Sequence, residues 1–377
     1  MVIIADNKIP FLNGALEPFT DVVYAAGKDI TNELIRQTDA EALFIRTRTK
    51  CNHELLRETK VSFIATATIG YDHIDTGYCN KNGIYWTNAP GCNSSSVQQY
   101  IAATLVTLSG KMGFNLSDKT LGVIGVGNVG SKVVRLAETL NMNVIMNDPP
   151  RQRKENNCQM RSLESILKEC DIITFHVPLN REGPDITFHM ADSSFFEQLR
   201  SGTIIINSSR GEVIDSAALK PALKSGKVAA AVLDVWENEP VIDKELMALV
   251  SLATPHIAGY SADGKANGTT MIVRALSRYF NLGIDDWMPA EIPVPSKTTI
   301  HIKNRGKSDD AIIHEAIMAT YNIIDDDARL RNSVETFEKQ RGNYPIRREF
   351  HAYDIFLADE KPDLIKKLRK LGFKVNT

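Results

Sequence analysis

Six residues, Gly125-Val126-Gly127-Asn128-Val129-Gly130, constrain this chain more than any others. They lie between an apolar run, Leu121–Ile124, that reads as a buried strand and a helical pattern from Val129 to about Leu140. A glycine turn that leads from a strand straight into a helix opens a βαβ unit, and the free amides of that helix start suit an anion. Gly125 permits the tight turn, Gly127 lets a pyrophosphate approach the backbone, and Gly130 lets helix pack on strand. A second strand, Asn143–Met146, ends at Asn147-Asp148, 18 residues beyond Gly130. An acid there is placed for the adenosine ribose hydroxyls. The pattern predicts a dinucleotide site formed by Gly125, Gly127, Asn128, Val129, Gly130 and Asp148. Asp148 repels a 2′-phosphate, which favours NAD over NADP; Arg151 and Arg153 read as solvated loop charges. The plain alternative is a glycine turn that merely starts a helix.

The same strand–helix beat runs on both sides of this motif. Strand-like runs at Val2–Ala5, Ala42–Ile45, Val61–Thr66 and Ile84–Thr87 precede it, and others at Ile172–Val177, Thr203–Asn207, Val228–Val235 and Val250–Thr254 follow. Apolar runs alternating with helical stretches predict parallel sheets covered on both faces. The expected fold is α/β with two Rossmann-like, doubly wound domains. Residues 93–258 form the nucleotide domain. Residues 1–92 join 259–290, through a helix at about Ser261–Asn281, to form a discontinuous, flavodoxin-like substrate domain. Beyond a Pro-rich break (Pro289, Pro293, Pro295), residues 291–377 read as a small α+β domain with strands at Thr298–Ile302 and Tyr353–Ala358. Helices are expected there at Asp310–Tyr321 and Pro362–Leu371, with a charged stretch, Asp325 to Arg348, between them.

The net charge of -2, without long runs of one sign, argues against nucleic acid as the main partner. The five cysteines are scattered, with no metal-binding spacing, so no metal is expected and a reducing, cytosolic setting is. No apolar stretch has the length of a membrane span.

Three polar residues follow strand-like runs: Arg210 after Thr203–Asn207, Glu239 after Val228–Val235, and His256 after Val250–Thr254. At the carboxyl ends of neighbouring parallel strands they would converge where open α/β sheets bind ligands. Arginine grips a carboxylate with two parallel hydrogen bonds, histidine accepts a proton near neutral pH, and a glutamate can orient that histidine. This set suits hydride transfer from a hydroxy acid. Glu237 is a second acid in the same loop, and spacing alone leaves it open. Asp234, which ends Val232-Leu233-Asp234, is placed to reach a nicotinamide amide.

Four segments in this order resemble the D-isomer-specific 2-hydroxyacid dehydrogenases: Gly125–Gly130, Asn207-Ser208-Ser209-Arg210-Gly211, Leu233 to Pro240, and Thr254-Pro255-His256-Ile257-Ala258-Gly259. The resemblance implies that Arg210 binds substrate, His256 accepts the proton and Glu239 orients it. It further implies cofactor contacts from Val177, Ser208, Ser209, Arg210, Asp234 and Gly259, and substrate contacts from Thr47, Thr68 and Tyr260. Arg46-Thr47-Arg48-Thr49-Lys50 and the C-terminal segment resemble a branch of the family that acts on a phosphorylated 2-hydroxy acid and dimerises through that segment. Arg46, Arg48 and Lys50 alternate after a strand and, if extended, share one face suited to a dianion; a basic loop rim is the other reading. Arg347 and Arg348 are expected to add charge across a dimer interface. Two alternatives stay open: another acid such as 3-phosphoglycerate, or an NAD-sensing binding protein that kept the fold.

Overall fold

The computed structural model describes residues 1–156, 158–295 and 297–376. They form two compact units, Met1–Asn93 with Ser261–Pro293, and Ser94–Tyr260 with Val294–Thr377.

The first unit holds five parallel strands: β1 (Val2–Asp6), β2 (Asp21–Ala25), β3 (Ala42–Ile45), β4 (Phe63–Thr66) and β5 (Tyr85–Thr87). Their order is β2-β1-β3-β4-β5, the flavodoxin-like arrangement. Successive side chains point to opposite faces, so Ile3, Ala5, Phe44 and Phe63 pack on one side against Ile272, Val273 and Leu276 of the helix Ala262–Phe280. Ile4, Leu43, Ile45 and Ile64 pack on the other side with Ile35 and Leu56. Ser261 caps the long helix, its side chain accepting the Gly264 N–H at 2.8 Å. β2 was not expected, although Val22-Val23-Tyr24-Ala25 is as apolar as the runs read as strands; it lies at the sheet edge and none of its residues is fully buried.

The second unit contains six parallel strands: β6 (Thr120–Ile124), β7 (Asn143–Asn147), β8 (Ile172–Phe175), β9 (Thr203–Asn207), β10 (Val228–Leu233) and β11 (Leu252–Ala253), in the order β11-β10-β9-β8-β6-β7. A single bridge, Met146 to Met160, stands beyond β7 where a further strand would lie. The topological switch falls between β6 and β8, beside the glycine loop. The helix Ser94–Met112 is buried along most of its length, its polar Ser96, Gln99 and Thr104 included, as a central helix is.

A third sheet in this unit is also parallel: β12 (Thr299–Ile302), β13 (Asp354–Leu357) and β14 (Lys374–Asn376), with β13 in the middle. Leu364, Leu368 and Leu371, at helical spacing, bury the helix Pro362–Leu371, which Pro362 opens and Gly372 (φ 112°) ends. The charged stretch folds too. It holds the helices Ile323–Asn332 and Phe337–Gly342, which bury Ile323, Asp326, Leu330 and Phe337 and expose Asp325, Glu338 and Lys339.

Candidate active site

Strands β8, β9, β10 and β11 are successive neighbours, so the loops at their carboxyl ends lie in a row. Those loops carry Val177, Ser208–Arg210, Asp234–Glu239 and Thr254–Gly259. Arg210, Glu239 and His256 line one cleft of about 390 Å³, together with Arg181, Phe188 and Trp236 among others.

Within it, His256 Nδ1 lies 2.8 Å from Glu239 Oε2. The other carboxylate oxygen, Oε1, accepts the Trp236 N–H at 2.9 Å, which fixes the acid's orientation. Burial pushes the Glu239 carboxyl up, but the hydrogen bond and charge of His256, the Trp236 amide and the charge of Arg341 outweigh it and hold it below its ordinary value. An ionised carboxylate only accepts, so the Nδ1 proton belongs to the imidazole and Nε2 carries the free lone pair. Glu237 is engaged elsewhere: it meets His189 Nε2 at 2.7 Å and accepts the Ser216 N–H at 2.9 Å. The two acids of the loop thus serve different histidines.

Asn207 Nδ2 donates to the Arg210 carbonyl at 2.8 Å, setting the turn that aims the side chain. Arg210 Nη1 donates to the Ser209 carbonyl at 2.8 Å, and its other guanidinium donors meet no partner among the described residues. The acids of the cleft are all paired: Glu212 with Arg181 at 3.5 Å, Glu237 with His189, Glu239 with His256. Among the described residues of the cleft, Arg210 is therefore the cation with capacity for an incoming carboxylate.

The glycine loop has the shape a dinucleotide needs. A Cβ on Gly125 (φ 86°) would meet the His176 carbonyl oxygen at 2.7 Å, and one on Gly130 would lie 1.9 Å from the Gly125 carbonyl oxygen. Around Gly127 a Cβ would meet nothing within 4 Å, which leaves that face of the loop open. Val129 precedes the helix Gly130–Thr139, and Asn128 is exposed in the loop. Ser208 Oγ is buried with no hydrogen-bond partner among the described residues, as a group awaiting a bound molecule would be. Asp148 sits at the end of β7 with Oδ2 on the Val126 N–H at 2.8 Å and Oδ1 capping the next helix through the Arg151 N–H at 3.0 Å. These residues fit NAD. Arg151 is not the solvated charge expected: it donates to the Val126 carbonyl at 2.6 Å and pairs with Glu155 at 2.9 Å, so it buttresses the loop. We expect Gly130→Ala to weaken NAD+ binding at least about tenfold and to cost about 1–3 kcal/mol of stability, because backbone cannot yield to the added methyl. Calorimetric titration and thermal melting check this; unchanged affinity would mean that the close approach is dispensable.

Asp234 is 1% exposed. Its carboxylate accepts Thr254 Oγ1 at 2.7 Å, the Ile257 N–H at 2.8 Å and the Ala258 N–H at 2.9 Å. It thus ties down the loop that holds His256. Gly259 and Tyr260 end this loop; the Tyr260 ring meets Tyr344 edge-on at 6.0 Å and lies under Arg341 at 5.6 Å. Val177 is partly buried behind Gly125.

In the first unit, Arg46, Thr47 and Thr68 lie just beyond the carboxyl ends of the paired strands β3 and β4. Thr47 is exposed. Thr68 Oγ1 pairs with Thr66 Oγ1 at 2.7 Å and donates to the Gly70 carbonyl at 2.9 Å. Arg46 Nη1 donates to the Lys8 carbonyl at 3.3 Å. The cationic row is not extended: the Thr49 N–H returns to the Arg46 carbonyl at 3.2 Å, so the segment turns and Arg46, Arg48 and Lys50 do not alternate along one face. Arg347 does not reach outward either. It is 5% exposed and bonded inside this chain. Sequence reasoning missed Arg181 and Phe188, whose guanidinium and ring stack at 4.4 Å; their only signal was a position in the loop after β8.

A family model for the NAD binding domain of D-isomer specific 2-hydroxyacid dehydrogenases matches residues 94–258, and one described only as a domain of unknown function, DUF3410, matches 293–372. Among solved structures, a D-lactate dehydrogenase from Aquifex aeolicus complexed with NAD and lactic acid is 27% identical, with a TM-score of 0.61 over 76% of this chain and 97% of that one. A glyoxylate reductase from Paecilomyes thermophila shares the fold, with a TM-score of 0.64 over 75% of this chain and 96% of that one. The fold and the site are those of an NAD-dependent dehydrogenase. A protein named erythronate-4-phosphate dehydrogenase in Bacteroides thetaiotaomicron is 51% identical over 94% of this chain and 99% of its own length, and one in Hahella chejuensis 39% identical over the whole of both. The chain belongs to the erythronate-4-phosphate dehydrogenase family of D-isomer-specific 2-hydroxyacid dehydrogenases.

Proposed function

We propose that this enzyme oxidises 4-phospho-D-erythronate at C2, giving 2-oxo-3-hydroxy-4-phosphobutanoate, a step of pyridoxine 5′-phosphate synthesis. One observation carries the chemistry: a carboxylate-braced imidazole and an unpaired guanidinium line the same cleft. The glycine loop and Asp148 would hold NAD+, which would supply the acceptor for the C2 hydride. The phosphorylated substrate is supported by the named relatives.

His256 Nε2 takes the hydroxyl proton, and Glu239 holds the tautomer that leaves Nε2 basic and stabilises the imidazolium as it forms. Arg210 grips the α-carboxylate and draws charge from the neighbouring oxygen. We assign Arg46, Thr47, Thr68 and Tyr260 to substrate, and the glycine loop with Asp148, Val177, Ser208, Ser209, Asp234 and Gly259 to the cofactor. Among the described residues no helix is long and apolar enough to cross a membrane. None of the five cysteines is in a disulfide, which fits a reducing cytosol.

The test follows NADH absorbance with 4-phospho-D-erythronate, D-erythronate and 3-phosphoglycerate. We expect kcat/KM for the first to exceed that for the unphosphorylated acid by about 10²-fold or more, the scale of losing a charge-assisted anion contact. Preference for 3-phosphoglycerate would remove the substrate assignment; turnover of none would favour an NAD-sensing protein.

We also propose a homodimer through the C-terminal segment. One face of the β12–β14 sheet is buried through Ile302, Ile355, Leu357 and Val375. The other exposes His301 stacked on Phe356 at 5.1 Å, with Phe356 38% exposed in the central strand. Phe356→Glu should halve the mass seen by light scattering; an unchanged mass would place the interface elsewhere.

A further inference from the structure

The turn that follows His256 is gripped on two sides. On one, the Asp234 carboxylate takes the amides of Ile257 and Ala258. On the other, Arg347 Nη2 donates to the carbonyls of the same two residues, at 3.2 and 2.5 Å. Ser96 Oγ accepts from Arg347 and donates to the Ala258 carbonyl at 2.9 Å. The backbone of both residues is therefore held twice, by an anion at the N–H and a cation at the C=O. His256 itself has φ 56°, a left-handed conformation that costs a non-glycine residue about 1–2 kcal/mol and persists only where its surroundings over-determine it.

Arg347 comes from the segment matched only as a domain of unknown function. Its guanidinium lies over the Tyr321 ring at 4.5 Å and near that of Tyr344 at 5.7 Å. Asp326 fixes both rings, accepting their hydroxyls at 2.9 and 2.6 Å. The same helix, Ile323–Asn332, also closes the open edge of the large sheet. β11 is an edge strand of two residues. Its Ala253 N–H donates to Asp327 Oδ1 at 2.6 Å. Arg331, paired with Asp327 at 2.9 Å, donates to the Met247 and Val250 carbonyls at 2.7 and 2.9 Å. Asp327 thus meets the unpaired strand edge at Ala253, and Arg331 holds the end of the helix Lys244–Leu249 that leads into the strand, just upstream of His256.

We propose that the C-terminal segment is a positioning element for the proton acceptor, with Arg347 as its principal positioning residue and Asp327 and Arg331 as the brace of the strand leading to it. Stability alone does not call for this arrangement, because replacing a buried ion pair as a whole by well-packed apolar groups is often neutral or stabilising. What an apolar group cannot do is bind two successive carbonyls. A shift of about 1 Å in a reacting group costs about 10²-fold in rate. The kinetic side of the proposal rests on His256 being the proton acceptor.

The test uses the full-length enzyme with Arg347→Met, Arg347→Lys and the double change Asp327→Ala/Arg331→Met. Four quantities are read: kcat and KM with 4-phospho-D-erythronate, NAD+ affinity by tryptophan fluorescence, and amide hydrogen exchange across residues 253–260. Arg347→Met is expected to lower kcat about 30- to 100-fold, leave KM and NAD+ affinity within about threefold, and speed exchange at Ile257 and Ala258 at least about tenfold. Arg347→Lys, which can still donate to a carbonyl, should recover about half of that loss on a logarithmic scale. The proposal falls if Arg347→Met keeps kcat within about threefold, leaves exchange unchanged, or weakens NAD+ binding as much as turnover. If Arg347→Met does not fold, the double variant decides by the same criteria, since its side chains sit at a partly exposed sheet edge. A parent enzyme inert toward 4-phospho-D-erythronate would defeat the substrate reading, while the exchange data would still judge the clamp.

Discussion

His256→Ala is expected to lose about 10³- to 10⁴-fold in kcat while binding NAD+ as tightly as the parent, the upper range for removing a positioned general base. That is about 4–5.5 kcal/mol of transition-state stabilisation at 1.36 kcal/mol per tenfold. Cofactor binding is spared because the change removes only the imidazole, while the cofactor contacts are assigned to other residues, chiefly the glycine loop after β6 and Asp148 after β7. Glu239→Gln should cost less, about 10- to 100-fold, since the amide keeps an acceptor for the ring but not the charge that stabilises the imidazolium. Its pH behaviour has a definite sign. The Glu239 carboxyl is depressed below its ordinary 4.5, so the pair's contribution to folding is complete above that value and is lost as pH falls through the depressed one. Melting temperature followed from neutral pH into acid should show a drop in the parent that Glu239→Gln lacks. Turnover by His256→Ala within a few-fold of the parent would end the assignment of the base.

Much of this site was legible in the sequence because parallel α/β sheets convert linear order into spatial order. Each apolar run that reads as a strand delivers the residue after it to the same edge, so Arg210, Glu239 and His256 could be gathered without coordinates. The glycine spacing carried its own geometry, and the overlap of Gly130 with the Gly125 carbonyl shows why no side chain fits there. What remained hidden depended on side-chain partners. Glu237 and Glu239 occupy one loop, and only the fold directs the first to His189 and the second to His256. Arg46, Arg48 and Lys50 alternate in sequence, yet a turn at Thr49 cancels the shared face. Arg347 looked like a surface cation, because nothing in its neighbours signals that Tyr321, Tyr344 and two loop carbonyls enclose it. The edge strand β2 carries an apolar run, Val22–Ala25, like those of the interior strands, and was passed over all the same; its place at the sheet edge leaves all of its residues at least partly exposed.

Arg210→Met is expected to reduce kcat/KM by about 10³-fold, the scale of truncating one partner of a desolvated ion pair. Most of the loss should fall on KM, because a carboxylate is held before as well as during hydride transfer; any fall in kcat measures the added charge stabilisation at the reacting oxygen. The loop should survive the change. Its shape is set by Asn207, whose side chain bonds the Arg210 carbonyl and the Ser209 amide, not by the guanidinium. Arg210→Lys restores the charge without the planar two-toothed grip, so it should recover only about tenfold. The separation matters for the cleft as a whole. Arg181 also lines it, but is paired with Glu212 and stacked on Phe188, and would need to break both contacts to receive a carboxylate. If Arg210→Met leaves KM within about twofold and Arg181→Met raises it instead, the substrate is gripped from the other wall, and the orientation of C2 toward His256 must be redrawn.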